Sequence, residues 1–210
     1  MSSATLYRLS GISLLLGSLL IAIGTIIRVL AGDNPTSTFV ASGWFLGAPG
    51  GMLVALGLPG IYARNAPSLS LMGLFGTAGI TLFFLIFGVF GGLLHGLVLP
   101  ALEGQVPGVT KNAPMGVGLA FLTGALLCAS GGILLGIATI RAGGLPRWPG
   151  ALIIAGALAL LGHGLPHVED AGVVLLTAGL AWLGLNTISA PETRAMSSSD
   201  VAGSAARIHA

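Results

Sequence analysis

The sequence predicts an all-α membrane protein, a bundle of six transmembrane helices, and three observations lead to this fold class. Only 7% of the 210 residues are charged, against roughly 25% in an ordinary soluble domain. Hydrophobic residues make up 54% of the chain, and its mean hydropathy is +0.99. The apolar residues fall in runs of about 20, the length that crosses a hydrocarbon core about 30 Å thick. This composition excludes a soluble globular enzyme, a disordered protein and a nucleic-acid-binding protein.

Six apolar segments are long enough to be spans, and short stretches containing Pro or Gly separate them. Together they predict one transmembrane domain over residues 1–190. The small and polar residues 191–210 are expected to form a disordered cytoplasmic tail. In chain order, the predicted spans are Leu9–Ala31, Phe39–Ala63, Leu69–Leu99, Pro114–Ile140, Trp148–Leu165 and Val168–Ser189.

The distribution of charge predicts the orientation of the bundle. With six spans, both termini lie on one side of the membrane, and most of the basic residues lie on that side as well. Basic residues concentrate in short cytoplasmic loops, so both termini are expected in the cytoplasm and the protein in the cell membrane. The basic residues on that side are Arg8, Arg64, Arg141, Arg147, Arg194 and Arg207, and the acidic residues opposite are Asp33, Glu103, Glu169 and Asp170.

Glycine accounts for 35 of the 210 residues, and its pattern predicts how the helices pack. Lipid offers no hydrophobic driving force between helices, so close approach of backbones at small residues stabilises the contacts. In the fourth span, small residues recur every four positions and predict a tight helix–helix contact. They are Gly116, Ala120, Gly124, Cys128, Gly132 and Gly136.

The second span contains the sequence GAPGG at residues 47–51, close to its middle. Proline removes a helical hydrogen bond and the neighbouring glycines let the chain bend, so Pro49, Gly50 and Gly51 are a candidate hinge. Broken helices form the substrate sites of several transporter folds. Proline is also frequent in ordinary membrane helices, so a purely structural interpretation stays open.

Arg28, His95 and His163 are the polar residues within spans that need an explanation. Each shares a helical stripe with small residues, so their side chains are expected to point into the bundle near its outer face. His95 and His163 are candidate axial ligands of a haem b. Alternatively, Arg28, His95 and His163 form an outward-facing pocket in which the arginine holds an anionic substrate.

Two further interpretations concern the residues around the last loop. His163, His167, Glu169 and Asp170 combine nitrogen and oxygen ligands and are a candidate site for a divalent metal such as zinc. The structural alternative gives none of these groups a chemical role. Arg28 then extends to the lipid headgroups and pairs with Asp33, and the two acids of the sixth span favour the positive end of its helix dipole.

No nucleotide-binding, zinc-protease or serine-hydrolase motif is recognisable, and no catalytic residue is predicted. The leading hypothesis is therefore non-enzymatic: a small integral membrane protein that serves as a subunit or partner of another membrane protein or of itself. One alternative is a small permease or channel that uses the outer Arg/His pocket. Another is a haem-binding electron carrier that uses His95 and His163.

Overall fold

The structure, a computed structural model, describes residues 3–32, 37–106, 108, 115–162, 165 and 167–189, and within them it is helical without strands. Four helices in this described part are long and apolar enough to cross a membrane: Thr5–Ala31, Thr38–Gln105, Leu122–Arg141 and Val168–Ser189. The α-helices are α1 (Ser3–Ala31), α2 (Thr38–Phe83), α3 (Leu99–Gln105), α4 (Met115–Arg141), α5 (Arg147–Ala159) and α6 (Val168–Ser189). Two π-helical segments, Phe84–Gly91 and Leu94–Val98, lie between α2 and α3.

The 68-residue helical stretch Thr38–Gln105 reverses direction at Ser70, where the backbone leaves the helical region (φ 57°, ψ −173°). We call residues 38–69 the first arm and residues 71–105 the second arm. The arms lie side by side and antiparallel. A methyl group placed on Gly51 would lie 2.8 Å from the carbonyl oxygen of Phe84, and one on Gly96 would lie 2.7 Å from the backbone nitrogen of Phe45. This reversal separates the predicted second and third spans.

The helices form a closed ring in chain order. The first arm packs on α1, the second arm on α4, α4 on α5, α5 on α6, and α6 returns to α1. Apolar side chains from every helix of the ring fill its centre, so the described interior is a packed core. Its best-buried members include Leu14, Val54, Ile80, Cys128, Ile153, Leu176 and Leu180.

Glycines lie at the closest approaches between neighbouring helices. At several of them, a methyl group in place of the glycine hydrogen would lie within 3 Å of the carbonyl oxygen of the facing glycine, far inside van der Waals contact. These facing pairs are Gly17 with Gly50, Gly24 with Gly43, Gly136 with Gly150, Gly156 with Gly172 and Gly11 with Gly184.

Three helical segments differ from the predicted spans. The first arm stays helical to residue 69, although the predicted second span ends at Ala63 and residues 64–68 are the predicted loop. The helix α5 ends at Ala159, well before the predicted span end at Leu165, so it covers only part of the length of α4. The helical stretch of the second arm continues past Leu99 to Gln105, with Pro100 near the start of α3.

The GAPGG sequence stays helical, and the non-helical backbone of α2 is at Ser70 instead. Gly50 lies against Gly17 of α1, and Gly51 lies against Gly88 of the second arm. In this structure the two glycines let three helical segments approach closely, and a hinge motion at Pro49, Gly50 and Gly51 stays a prediction.

We expect Gly136→Leu to destabilise the bundle. Its new side chain would meet the Gly150 carbonyl oxygen at 2.6 Å, so α4 and α5 must separate, at a cost of roughly 1–3 kcal/mol or more. The measurement is the midpoint of thermal unfolding in one detergent. The matched control is Gly104→Leu, because a side chain on Gly104 meets nothing within 4 Å. Equal midpoints for the two variants would contradict the tight contact.

Candidate functional site

An ion pair joins the first and last helices. Nη2 of Arg28 donates to Oδ1 of Asp170 at 2.8 Å, and the two side chains are 19% and 28% exposed. Arg28 lies in the last turn of α1 and Asp170 in the first turn of α6. Each charge therefore also lies at the helix end whose dipole favours it.

The guanidinium of Arg28 also contacts an aromatic ring. Its Cζ lies 3.9 Å from the ring centroid of Trp44, within the range of a cation–π interaction. Gly43 makes this possible, because a side chain there would meet Cγ of Arg28 at 2.7 Å. The absence of that side chain lets the arginine stem cross the first arm beside Trp44.

His95 contacts the same indole from the second arm. The two rings are stacked with centroids 4.5 Å apart and planes at 26°. Nδ1 of His95 lies 3.0 Å from the carbonyl oxygen of Gly91. A carbonyl oxygen only accepts hydrogen bonds, so Nδ1 carries the proton in this contact. We call Asp170, Arg28, Trp44 and His95 the polar stack.

The backbone around His95 is π-helical over Leu94–Val98, and a second π-helical segment precedes it. Such widened turns are rare in proteins, and those that occur are often found at functional sites. Here the widening lies where Gly92 and Gly96 of the second arm approach Ala48 and Phe45 of the first. The polar stack is therefore built on an irregular part of the helix that is held by close contacts.

The structure brings two of the three predicted pocket residues together, since Arg28 and His95 both contact Trp44. His163 lies outside the described residues, so the haem pair and the three-residue pocket stay predictions. Arg28 pairs with Asp170; Asp33, the partner that the structural alternative proposed, lies outside the described residues.

The predicted metal site is incomplete in the described part of the chain. His167 is exposed and has a left-handed backbone (φ 61°), and Glu169 and Asp170 follow it in the first turn of α6. Among the residues that the structure describes, no three His, Cys, Asp or Glu side chains are placed to hold one metal ion. His163 is not among them, so the four-residue metal site remains untested.

The residues of the predicted small-residue stripe in α4 have different surroundings. Gly124 faces the ring of Phe87, Gly132 faces the side chain of Ala157, and Gly136 faces Gly150. Cys128 is fully buried. Gly116 is exposed with nothing within 4 Å of its missing side chain; the side chain of Ala120 lies outside the described part.

Sequence reasoning missed Trp44, which contacts both Arg28 and His95. The available signal was an aromatic residue next to a glycine, close to one end of a span. Aromatic residues are common near the ends of spans as interfacial anchors, so this signal did not distinguish Trp44 from the other aromatic residues.

A double-mutant cycle tests the Arg28–Asp170 pair. Arg28→Gln and Asp170→Asn should each destabilise the protein, and the double variant should be more stable than the sum of their effects by roughly 1 kcal/mol, because both side chains are partly buried. The measurement is the free energy of unfolding by titration with a denaturing detergent. In the control cycle Arg64→Gln replaces Arg28→Gln. Nη1 of Arg64 donates to the carbonyl oxygen of Thr187 at the far end of α6. That oxygen lies about 25 Å from Asp170, so the two effects in the control cycle should be additive. Additivity in the first cycle would show that the pair contributes no net coupling.

The polar stack places a carboxylate, a guanidinium, an indole and an imidazole in sequence across α1, α6 and both arms. Such an arrangement ties four helical segments together at one end, and it brings charge of both signs to that end. Comparison with known proteins gives no match: no protein-family model, no curated protein and no solved structure matches this chain.

Proposed function

We propose that this chain is a six-span integral membrane protein of the cell membrane, with both termini in the cytoplasm, that acts as a non-catalytic subunit or partner of another membrane protein or of a second copy. The observation that carries the proposal is an exposed stripe on α4. It consists of three exposed small residues at heptad spacing, Gly116, Thr123 and Ser130. No other helix of the described chain covers it.

The six-span topology has two supports. The two arms are antiparallel and packed together, as consecutive spans would be. Arg64, Arg141 and Arg147 lie at one set of helix ends, whereas Arg28 and Asp170 lie at the other set. An excess of basic residues at one end favours placing that end in the cytoplasm.

The stripe runs along the exposed face of α4. Gly116, Thr123 and Ser130 are exposed and seven residues apart, and the exposed Leu119 and Leu126 alternate with them. The hydroxyls of Thr123 and Ser130 donate to carbonyl oxygens of their own helix. Small residues at this spacing let a second helix approach closely in a left-handed crossing.

The stripe lies on the side of α4 that is turned away from α5, because at 3.6 residues per turn Ser130 is far around the helix from Gly132 and Gly136. The close contacts of α5 with α4 are at Gly132 and Gly136, near the end of α4 that carries Arg141. Beyond Ala159 the helix α5 no longer accompanies α4. A partner helix would lie against Gly116 and Leu119, on the face of α4 turned away from α5.

The packed interior supports a partner role over transport. Leu58, Ile80, Ile153 and Leu180 are each at most 2% exposed and occupy the centre of the ring. The buried hydroxyls of Thr139 and Thr187 donate to carbonyl oxygens of their own helices. A permease built on Arg28 would have to exchange Asp170 for a substrate anion.

The partner role predicts that Gly116→Leu and Ser130→Leu abolish association, because a large side chain on the stripe keeps a second helix at a distance. The protein is cross-linked in native membranes, extracted in mild detergent and analysed for partners in defined stoichiometry, including itself. Gly104→Leu is the control, since Gly104 is also exposed and unpacked. A wild type that cross-links to no protein, or stripe variants that retain the partner, would refute the proposal.

An absorption spectrum distinguishes the partner role from the haem alternative. The partner role predicts that the purified protein, oxidised and then reduced with dithionite, shows no Soret band. A sharp Soret band that disappears in His95→Ala and persists in Arg64→Gln would instead support a haem-binding electron carrier.

A further inference from the structure

The short loop between α4 and α5 carries an arginine at each end. Arg141 is the last residue of α4 and Arg147 the first of α5, and both side chains are exposed. Just inside the loop the two helices are in backbone contact. A methyl group on Gly150 would lie 2.6 Å from the carbonyl oxygen of Gly136 and 3.3 Å from the backbone nitrogen of Ile140. Arg141 directly follows this contact in α4, and Arg147 precedes it by less than one turn in α5.

The loop between the two arginines turns sharply and is tied to the bundle at both ends. Gly143 has a left-handed backbone (φ 58°), a conformation that glycine adopts without steric cost. Where α4 ends, the amide of Ala142 donates to the carbonyl oxygen of Thr139. After the loop, Pro149 and Gly150 are buried. The helix contact therefore sets the distance between the two arginine backbones and keeps it short.

The end of the bundle that carries this loop has an excess of positive charge. Arg8 and Arg64 lie at the same end, where the start of α1 meets the end of the first arm. The acidic residues that the structure describes all lie at the opposite end: Glu103, Glu169 and Asp170. Arg141 and Arg147 form no ion pair with a described residue. An anion that reaches the loop meets two guanidinium groups and no described carboxylate.

The residue after Arg147 indicates how deep in the membrane the loop lies. The side chain of Trp148 is 70% exposed. An exposed tryptophan at the end of an apolar helix lies at the level of the lipid headgroups, because its ring is apolar and its N–H is polar. Arg147 beside it, and Arg141 across the helix contact, then lie at the depth of the lipid phosphates. This depth favours a lipid headgroup over an anion that is free in solution.

We propose that Arg141 and Arg147 together bind the phosphate of an anionic phospholipid. A guanidinium donates two parallel hydrogen bonds to phosphate oxygens, so arginines at adjacent helix ends hold one headgroup from two sides. The ring of Trp148 then lies beside the glycerol and the start of an acyl chain. A zwitterionic lipid is disfavoured, because its headgroup ammonium would lie next to two cations. The proposal requires a membrane, but neither the partner role nor a particular orientation of the bundle.

The test compares two lipids with the same acyl chains and different headgroup charge. The full-length protein is delipidated in detergent, mixed with equal amounts of phosphatidylglycerol and phosphatidylcholine, and analysed by native mass spectrometry. We expect the wild type to retain phosphatidylglycerol roughly 25-fold better, about fivefold for each arginine. Arg141→Gln and Arg147→Gln should each lower this ratio about fivefold, and the double variant should abolish the preference.

Arg8→Gln is the matched control, because it removes the same charge from an exposed side chain at the same end of the bundle. It should leave the retention ratio within about twofold of the wild type. An equal loss in Arg8→Gln would show that the total charge of this end selects the lipid, and the proposed site would be wrong. Equal retention of the two lipids by the wild type would also overturn the proposal. The substituted side chains are all exposed, so each variant should keep the wild-type midpoint of thermal unfolding.

Competition with glycerol 3-phosphate distinguishes a lipid site from a site for a free phosphate. A large excess should leave phosphatidylglycerol bound, because the competitor has no acyl chain to lie beside Trp148. Displacement of the lipid would assign the loop to a soluble anion and refute the proposal. The result is separable from the α4 stripe, because Gly116→Leu and Ser130→Leu should keep the lipid preference.

Discussion

Backbone-to-backbone contact between neighbouring helices is the constraint on which the other features of this protein depend. At Gly17 and Gly50, and again at Gly136 and Gly150, a side chain would collide with the carbonyl oxygen of the facing helix. Lipid chains are as apolar as leucine, so burying apolar surface does not by itself hold helices together in a bilayer. Dispersion attraction between closely fitted helix surfaces holds them together. The ring therefore closes through positions where only glycine fits.

The same closeness creates the polar stack. Gly24 and Gly43 bring α1 against the first arm, and the stem of Arg28 then passes beside Gly43 toward Trp44. The second arm approaches the first through Gly92 and Gly96 and carries His95 to the same indole. Because α6 packs on α1, Asp170 lies close enough to pair with Arg28. Each member comes from a different helical segment, so the stack exists only in the closed ring.

Local sequence features predicted part of this site. A charged side chain within an apolar segment is conspicuous, so Arg28 was a candidate from composition alone. His95 was a candidate because it shares a stripe with small residues. The partner of Arg28 was not predictable in the same way, since Asp170 lies 142 residues away and the nearest acid in the sequence was Asp33. In the sequence, Trp44 resembles an ordinary interfacial aromatic residue. Only its contacts with Arg28 and His95 in the folded structure distinguish it.

The sequence alone determined the helical class, the apolar segments and the turn after Arg141, because these depend on composition and on residues close in the chain. The turn between the arms lies at Ser70, beyond the predicted loop at residues 64–68. Long-range contact determined the rest: the antiparallel pairing of the arms, the short α5, the exposed stripe of α4 and the partners of Arg28. The GAPGG sequence illustrates the difference. Locally it is a helix breaker, but packing of Gly50 on α1 and Gly51 on the second arm accompanies an unbroken helix through Pro49. Whether a glycine bends a helix or seats a neighbour depends on which surface the closed ring brings against it.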